Sequence, residues 1–127
     1  MKNEIKQEID KFLKEIRNLD FFSKIEFIIL YGSYLNKYHY DESDIDLCIY
    51  IQCEEMKLGR IRLSLLEKFE DKHDIQMFQL LPIYIQIEVL KGKVLYVKDE
   101  DLLYEIAYKA IEEYEDFSPF YIDYINR

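Results

Sequence analysis

Two hydrophobic rhythms alternate along this chain. Ile5, Ile9, Phe12, Leu13 and Ile16 recur at spacings of three and four. That period predicts an amphipathic helix over 2–19. Residues 24–31 are β-branched and aromatic and read as a buried strand. A polar stretch over 32–43 reads as a loop with one possible helical turn. An apolar-rich run over 44–52 is a second strand. Leu58, Ile61, Leu65, Leu66 and Phe69 then share one face of a helix over 55–71, and 73–80 is a third strand. Residues 82–91 fit two periods. Ile83, Ile85, Ile87 and Val89 alternate as in a strand, whereas Pro82, Ile83, Ile87 and Leu90 suit a helix. Gly92 breaks this element, and 93–97 is a short strand. Leu102, Leu103, Ile106, Ala107, Ala110, Ile111 and Tyr114 place a last helix over 99–116, with Asp99 as its cap and Pro119 as its stop. Helices and strands in this order predict an α/β domain with a small mixed sheet.

The chemistry gathers where the first strand ends. Gly32 and Ser33 follow the run Phe27–Tyr31, and ten residues later come Asp44, Ile45 and Asp46. Residues i and i+2 of a strand share a face, so Asp44 and Asp46 present paired carboxylates. Such a pair is a hard-oxygen site suited to Mg²⁺. Gly32 lets another group approach its backbone, and the Ser33 hydroxyl can donate to phosphate. A phosphate grip beside two acids is what metal-assisted phosphoryl or nucleotidyl transfer requires. The plain alternative is a turn followed by a solvated strand start. The combination at fixed spacing arises by chance in about one chain in a thousand of this length. A calcium loop is excluded, because its glycine and terminal Glu are not at their offsets.

Gly32-Ser33-X10-Asp44-X-Asp46 resembles the signature of the DNA polymerase β-like nucleotidyltransferases, and the short length points to the minimal nucleotidyltransferase (MNT) subgroup. Asp74 with the apolar run after it, Pro82, the segment Lys91–Tyr96 and the ending Glu115–Phe120 are similar to the second half of that subgroup. The resemblance covers nearly the whole chain and implies one minimal nucleotidyltransferase domain over 1–127, with a polymerase β-like fold and a helix at 82–91. It also implies a third acid early in the third strand. Asp74 is that candidate for catalysis and metal binding beside Asp44 and Asp46, with Asp71 as the alternative. Gln76 and Gln79 are neutral where related chains often carry a further acid. Mg²⁺ would act as cofactor, and ATP as substrate held at Gly32 and Ser33. The implied role is an antitoxin that transfers AMP to a tyrosine of a partner HEPN-type RNase toxin, in a hetero-oligomer with it. Two alternatives stand beside it: neutralisation of the partner by binding alone, and nucleotidyl transfer to a small molecule.

Composition narrows the classes. The chain has 127 residues, is 50% hydrophobic and carries a net charge of −9. That suits one packed domain and argues against direct nucleic-acid binding, which needs a basic surface. Cys48 and Cys53 have no partner cysteines or histidines for a zinc site and read as free thiols of a cytoplasmic protein. No signal core or membrane span is present in the pattern. Lys37 and Arg60 read as surface cations, and His39 and His73 as ordinary loop or strand-edge residues. Tyr104 and Tyr108 lie four residues apart on one helix flank, either as a partner surface or as the edge of the core. Phe117, Phe120 and Tyr121 favour the partner surface.

Overall fold

The computed structural model describes the backbone of residues 3–32, 45–69 and 73–125, and the side chains of 5–32, 45–69 and 73–116. Among the described residues four α-helices and four strands follow in order: α1 (Asn3–Ile16), β1 (Ile25–Tyr31), β2 (Ile45–Ile51), α2 (Glu55–Lys68), β3 (His73–Met77), α3 (Ile83–Leu90), β4 (Lys93–Val97) and α4 (Glu100–Ile125). The strands form one sheet in the order β3-β2-β1-β4. β1 is antiparallel to both β2 and β4, and β2 is parallel to β3. The mixed sheet expected from the sequence is therefore present.

Both faces of the sheet are covered. Ile5, Ile9, Phe12 and Ile16 of α1 and Leu58 and Leu65 of α2 pack on Ile28, Leu30, Leu47, Ile49, Ile75 and Met77. The opposite face carries Phe27, Ile29 and Cys48, closed by Phe78, Val89 of α3 and Leu103 of α4. Strict alternation would put Ile25 and Ile28 on opposite faces. A register shift between Ile25 and Phe27 inserts an extra residue, so both join the α1/α2 core. The ring of His73 stacks on Phe12 at 5.7 Å in that same core, a packing role.

Several boundaries differ from the sequence expectation. α1 stops at Ile16 rather than 19, because the amides of Asn18 and Leu19 bond back three residues, to Glu15 and Ile16, and tighten the last turn. α2 ends at Lys68 rather than 71, where Phe69 leaves helical geometry and turns into the core. β3 stops at Met77, not Leu80. Phe78–Leu80 form a 3₁₀ turn that drops Phe78 onto Phe27, and the Gln79 side chain donates to the Ile51 carbonyl. Residues 83–90 are helical, which resolves the two periods in favour of the helix. The Ile85 and Gln86 amides both bond to the Pro82 carbonyl, and Val89 is buried under the sheet.

Asp99 caps α4 as expected, its Oδ1 accepting from the amides of Asp101 at 3.0 Å and Leu102 at 3.3 Å. Pro119 does not stop that helix, which runs to Ile125. A proline removes one backbone bond and crowds one carbonyl, which a long helix can absorb. Cys48 and Cys53 are free thiols. No helix among the described residues is long and apolar enough to cross a membrane.

Gly92, at the turn from α3 into β4, shows how closely α3 sits on β1. A Cβ there would overlap the Leu30 carbonyl oxygen and lie 3.0 Å from Ile29 Cγ2. Gly92→Ala is expected to cost about 1–3 kcal/mol, the range for overpacking a tight contact. Urea unfolding of the two proteins checks it.

Candidate functional site

The site lies where β1 ends and β2 and β3 begin. Leu47, Ile49, Ile75 and Met77 point into the α1/α2 core. Their alternate neighbours Asp46, Asp74 and Gln76 therefore face the other way. Asp46 is the register partner of Asp74 across the parallel β2–β3 pair and of Tyr31 across the antiparallel β1–β2 pair. Adjacent strands lie about 4.8 Å apart, so the two carboxylates are near neighbours on one face. The structure thus brings together two of the three acids singled out in the sequence. Ser33, Asp44 and the alternative Asp71 lie outside the described residues.

Gly32 directly follows β1 with a φ of +80°. That left-handed conformation favours glycine. A Cβ built there would overlap Oδ2 of Asp46 and lie 3.1 Å from its Cγ. The turn therefore passes directly against the Asp46 carboxylate. What approaches the Gly32 backbone so closely is the Asp46 carboxylate.

Three further residues complete this corner. The guanidinium of Arg62, on α2, donates from Nε to the Ile75 carbonyl at 2.8 Å. Its Nη2 lies 4.0 Å from Oδ1 of Asp74. Gln76 Nε2 donates to the same Asp74 oxygen at 3.3 Å. Tyr31 is half-buried beside the acids. Burial first, then Cys48, Asp46 and Asp74, push its phenol well above the usual range, with Arg62 opposing them. Its hydroxyl stays protonated and can donate.

Sequence reasoning missed Arg62 and Tyr31. Tyr31 is one residue before Gly32, so strand alternation from Phe27 and Ile29 could have placed it on the site face. Arg62 had no such signal, since it lies on the flank of α2 between Ile61 and Leu63. Arg60 is exposed, as expected for a surface cation. Lys37 and His39 lie outside the described residues.

This corner suits a divalent cation in its donor type. Asp46 and Asp74 offer hard carboxylate oxygens, and the missing side chain at Gly32 makes room for the carboxylate of Asp46. Among the described residues no group of three or more His, Cys, Asp or Glu forms a metal-holding set, so a full set needs a member such as Asp44.

A mixed sheet with this glycine turn and acid pair fits a nucleotidyltransferase. Residues 7–101 match the polymerase beta nucleotidyltransferase family, and the chain belongs to it. A Methanocaldococcus jannaschii protein named as a candidate protein adenylyltransferase is 36% identical over 97 residues, 74% of this chain and 73% of that protein. The fold also matches chains of solved toxin–antitoxin structures. One, with AMP-PNP, gives a TM-score of 0.67 at 21% identity over 94% of both chains. Another, MntA–HepT, gives 0.67 at 18% identity over 95% of this chain and 96% of the other. A tri-AMPylated Shewanella oneidensis HEPN toxin in complex with MNT antitoxin gives 0.63 at 20% identity over 94% and 92%. At these identities the likeness is one of fold.

Gly32→Ala combines a left-handed conformation with the Asp46 overlap. The backbone alone costs an L-residue about 1–2 kcal/mol. Shortening the neighbour as well, in Gly32→Ala/Asp46→Ala, should recover part of the loss. A double-mutant cycle by chemical denaturation reads that coupling, and strictly additive losses would contradict the contact.

Proposed function

We propose that this nucleotidyltransferase is a Mg²⁺-dependent adenylyltransferase that moves AMP from ATP to a tyrosine of a partner protein. We further propose that the partner is a HEPN-type RNase toxin and that the chain, as one minimal nucleotidyltransferase domain over 1–127, is its antitoxin in a type VII-like module. The observation that carries the chemistry is the register of Asp46 against Asp74 beside the Gly32 turn. The name of the M. jannaschii relative supports adenylyl transfer to protein. The toxin–antitoxin structures, one holding AMP-PNP and one a tri-AMPylated toxin, support ATP and a toxin as the two substrates.

In this reading Gly32 and Ser33 hold the β- and γ-phosphates, and Asp44, Asp46 and Asp74 are the metal ligands. Bound Mg²⁺ supplies neutralisation of the triphosphate charge. The acceptor oxygen forms a bond to the α-phosphorus as the bond from that phosphorus to the bridging oxygen breaks. Pyrophosphate departs with the electron pair. A carboxylate oxygen of Asp74 takes the proton of the attacking hydroxyl. The chain's part is positioning and charge placement. The half-buried Tyr31 lies beside Asp46 in this corner.

One observation favours a docking component. Tyr104 and Tyr108 are each 65% exposed on α4. They stand clear of the core, where a partner could reach them. Neutralisation by binding alone is therefore the second reading; transfer to a small molecule has no observation in its favour.

Incubation with Mg²⁺, ATP and the proposed HEPN-type toxin partner should add one or more AMP masses to toxin tyrosines. Asp46→Asn should lower that transfer by about 100-fold or more, the scale for losing an electrostatic catalytic group. Its thermal melting should hold, since one of two crowded charges is removed. Toxin neutralised without any mass gain would establish the binding-only reading. Separately, Ser33→Ala should weaken Mg²⁺–ATP binding by roughly 1.5–3 kcal/mol, the worth of a hydrogen bond to a charged group. Calorimetric titration reads it.

A further inference from the structure

Arg62 crosses from one side of the sheet to the other. It belongs to α2, whose Leu58 and Leu65 pack on the face opposite the site. β3 ends the strand order, so one of its edges has no neighbouring strand among the described residues. Arg62 donates to the Ile75 carbonyl of that strand and ends beside Asp74 on the site face. The Nε bond anchors the guanidinium, so its charge stays near the carboxylates. At 4.0 Å, Nη2 makes a charge contact with Oδ1 rather than a short hydrogen bond. A guanidinium does not lose its proton at any ordinary pH.

From this clamp we infer that Arg62 is the resident counter-charge of the acid pair: it steadies Asp74 without a bound cation and opposes entry of a free divalent ion. The inference rests on the reading of Asp46 and Asp74 as metal ligands. Two like charges side by side destabilise each other, and a fixed cation relieves that strain. A divalent ion arriving alone at Asp74 meets the same fixed positive charge. An ion arriving on a triphosphate brings net negative charge with it, so Arg62 opposes it far less. The consequence for the site is an order of binding: metal enters with nucleotide, and the nucleotide-free protein holds metal weakly. Arg62 acts through Asp74 and is thus a positioning residue.

Mn²⁺ titration of the nucleotide-free protein, followed by electron paramagnetic resonance, tests this apart from any activity. The side chains of Arg62 and Asp74 are 32% and 38% exposed, so solvent trims the Coulomb effect. Arg62→Ala should bind free Mn²⁺ about five-fold tighter than the parent, or more. Arg62→Lys, which keeps the charge, should stay within about two-fold of the parent. In an Asp74→Asn background, Arg62→Ala should shift the constant by less than about two-fold. Should the alanine variant fail to fold, Arg62→Gln removes the charge while keeping a donor for Ile75. Unchanged or weaker Mn²⁺ binding without the Arg62 charge overturns the inference, as does an equal shift in both backgrounds. A merely structural Arg62 would lower the melting temperature alike with and without Mn²⁺. A counter-charge gives a loss that Mn²⁺ repairs. If the parent and Asp46→Asn bind Mn²⁺ equally with AMP-PNP present, the metal-site reading itself falls, and the inference with it.

Discussion

Everything at the site depends on β2 and β3 lying parallel in one register. A shift of a single residue would turn Asp74 into the α1/α2 core and bring a buried apolar side chain to the site face. The register is held from the apolar side, where Leu47 and Ile49 oppose Ile75 and Met77. Parallel neighbours need a crossover connection, and α2 supplies it. The same helix therefore covers the core and delivers Arg62 around the sheet edge. Fold and site share one segment.

The antiparallel side of β2 contributes the second constraint. Pairing of Tyr31 with Asp46 fixes how far along β1 the chain runs before it turns. Gly32 then passes so close to Asp46 that the glycine turn and the acid-bearing strand cannot be adjusted separately. Two halves of a chemical site, distant in sequence, are joined by direct contact. The buried strand interiors behind them, Ile28 to Leu30 and Leu47 to Ile49, provide the stiffness such a contact needs.

The sheet, its mixed character and Asp46 were legible because periodicity, glycine and paired carboxylates are local signals. Asp74 needed the family resemblance, and its pairing with Asp46 follows from strand register, which no local pattern states. The segment 82–91 stayed open because an eight-residue apolar element satisfies both periods. Its helical form reflects tertiary context: β1 already has strands on both sides, and Val89 is needed beneath it. Pro119 misled because a stop signal is a local penalty, which the rest of a 26-residue helix outweighs. Arg62 was illegible for a further reason. Its role depends on reaching around a strand edge, a path that exists only in three dimensions.

Among the described residues the two cores differ in depth, and this has a dynamic consequence. Among the described residues, sixteen buried side chains tie α1 and α2 to the sheet, whereas six form the core beneath α3 and α4. Opening free energies follow such packing, so amides of α3 and α4 should exchange with solvent through small, local openings while those of β1 and β2 wait for global unfolding. The acids face this thinly sealed side. Helical cover there can breathe without loosening the strands that hold Asp46 and Asp74 in register. The carboxylates thus sit at the boundary between a more deeply and a less deeply packed layer of the described residues.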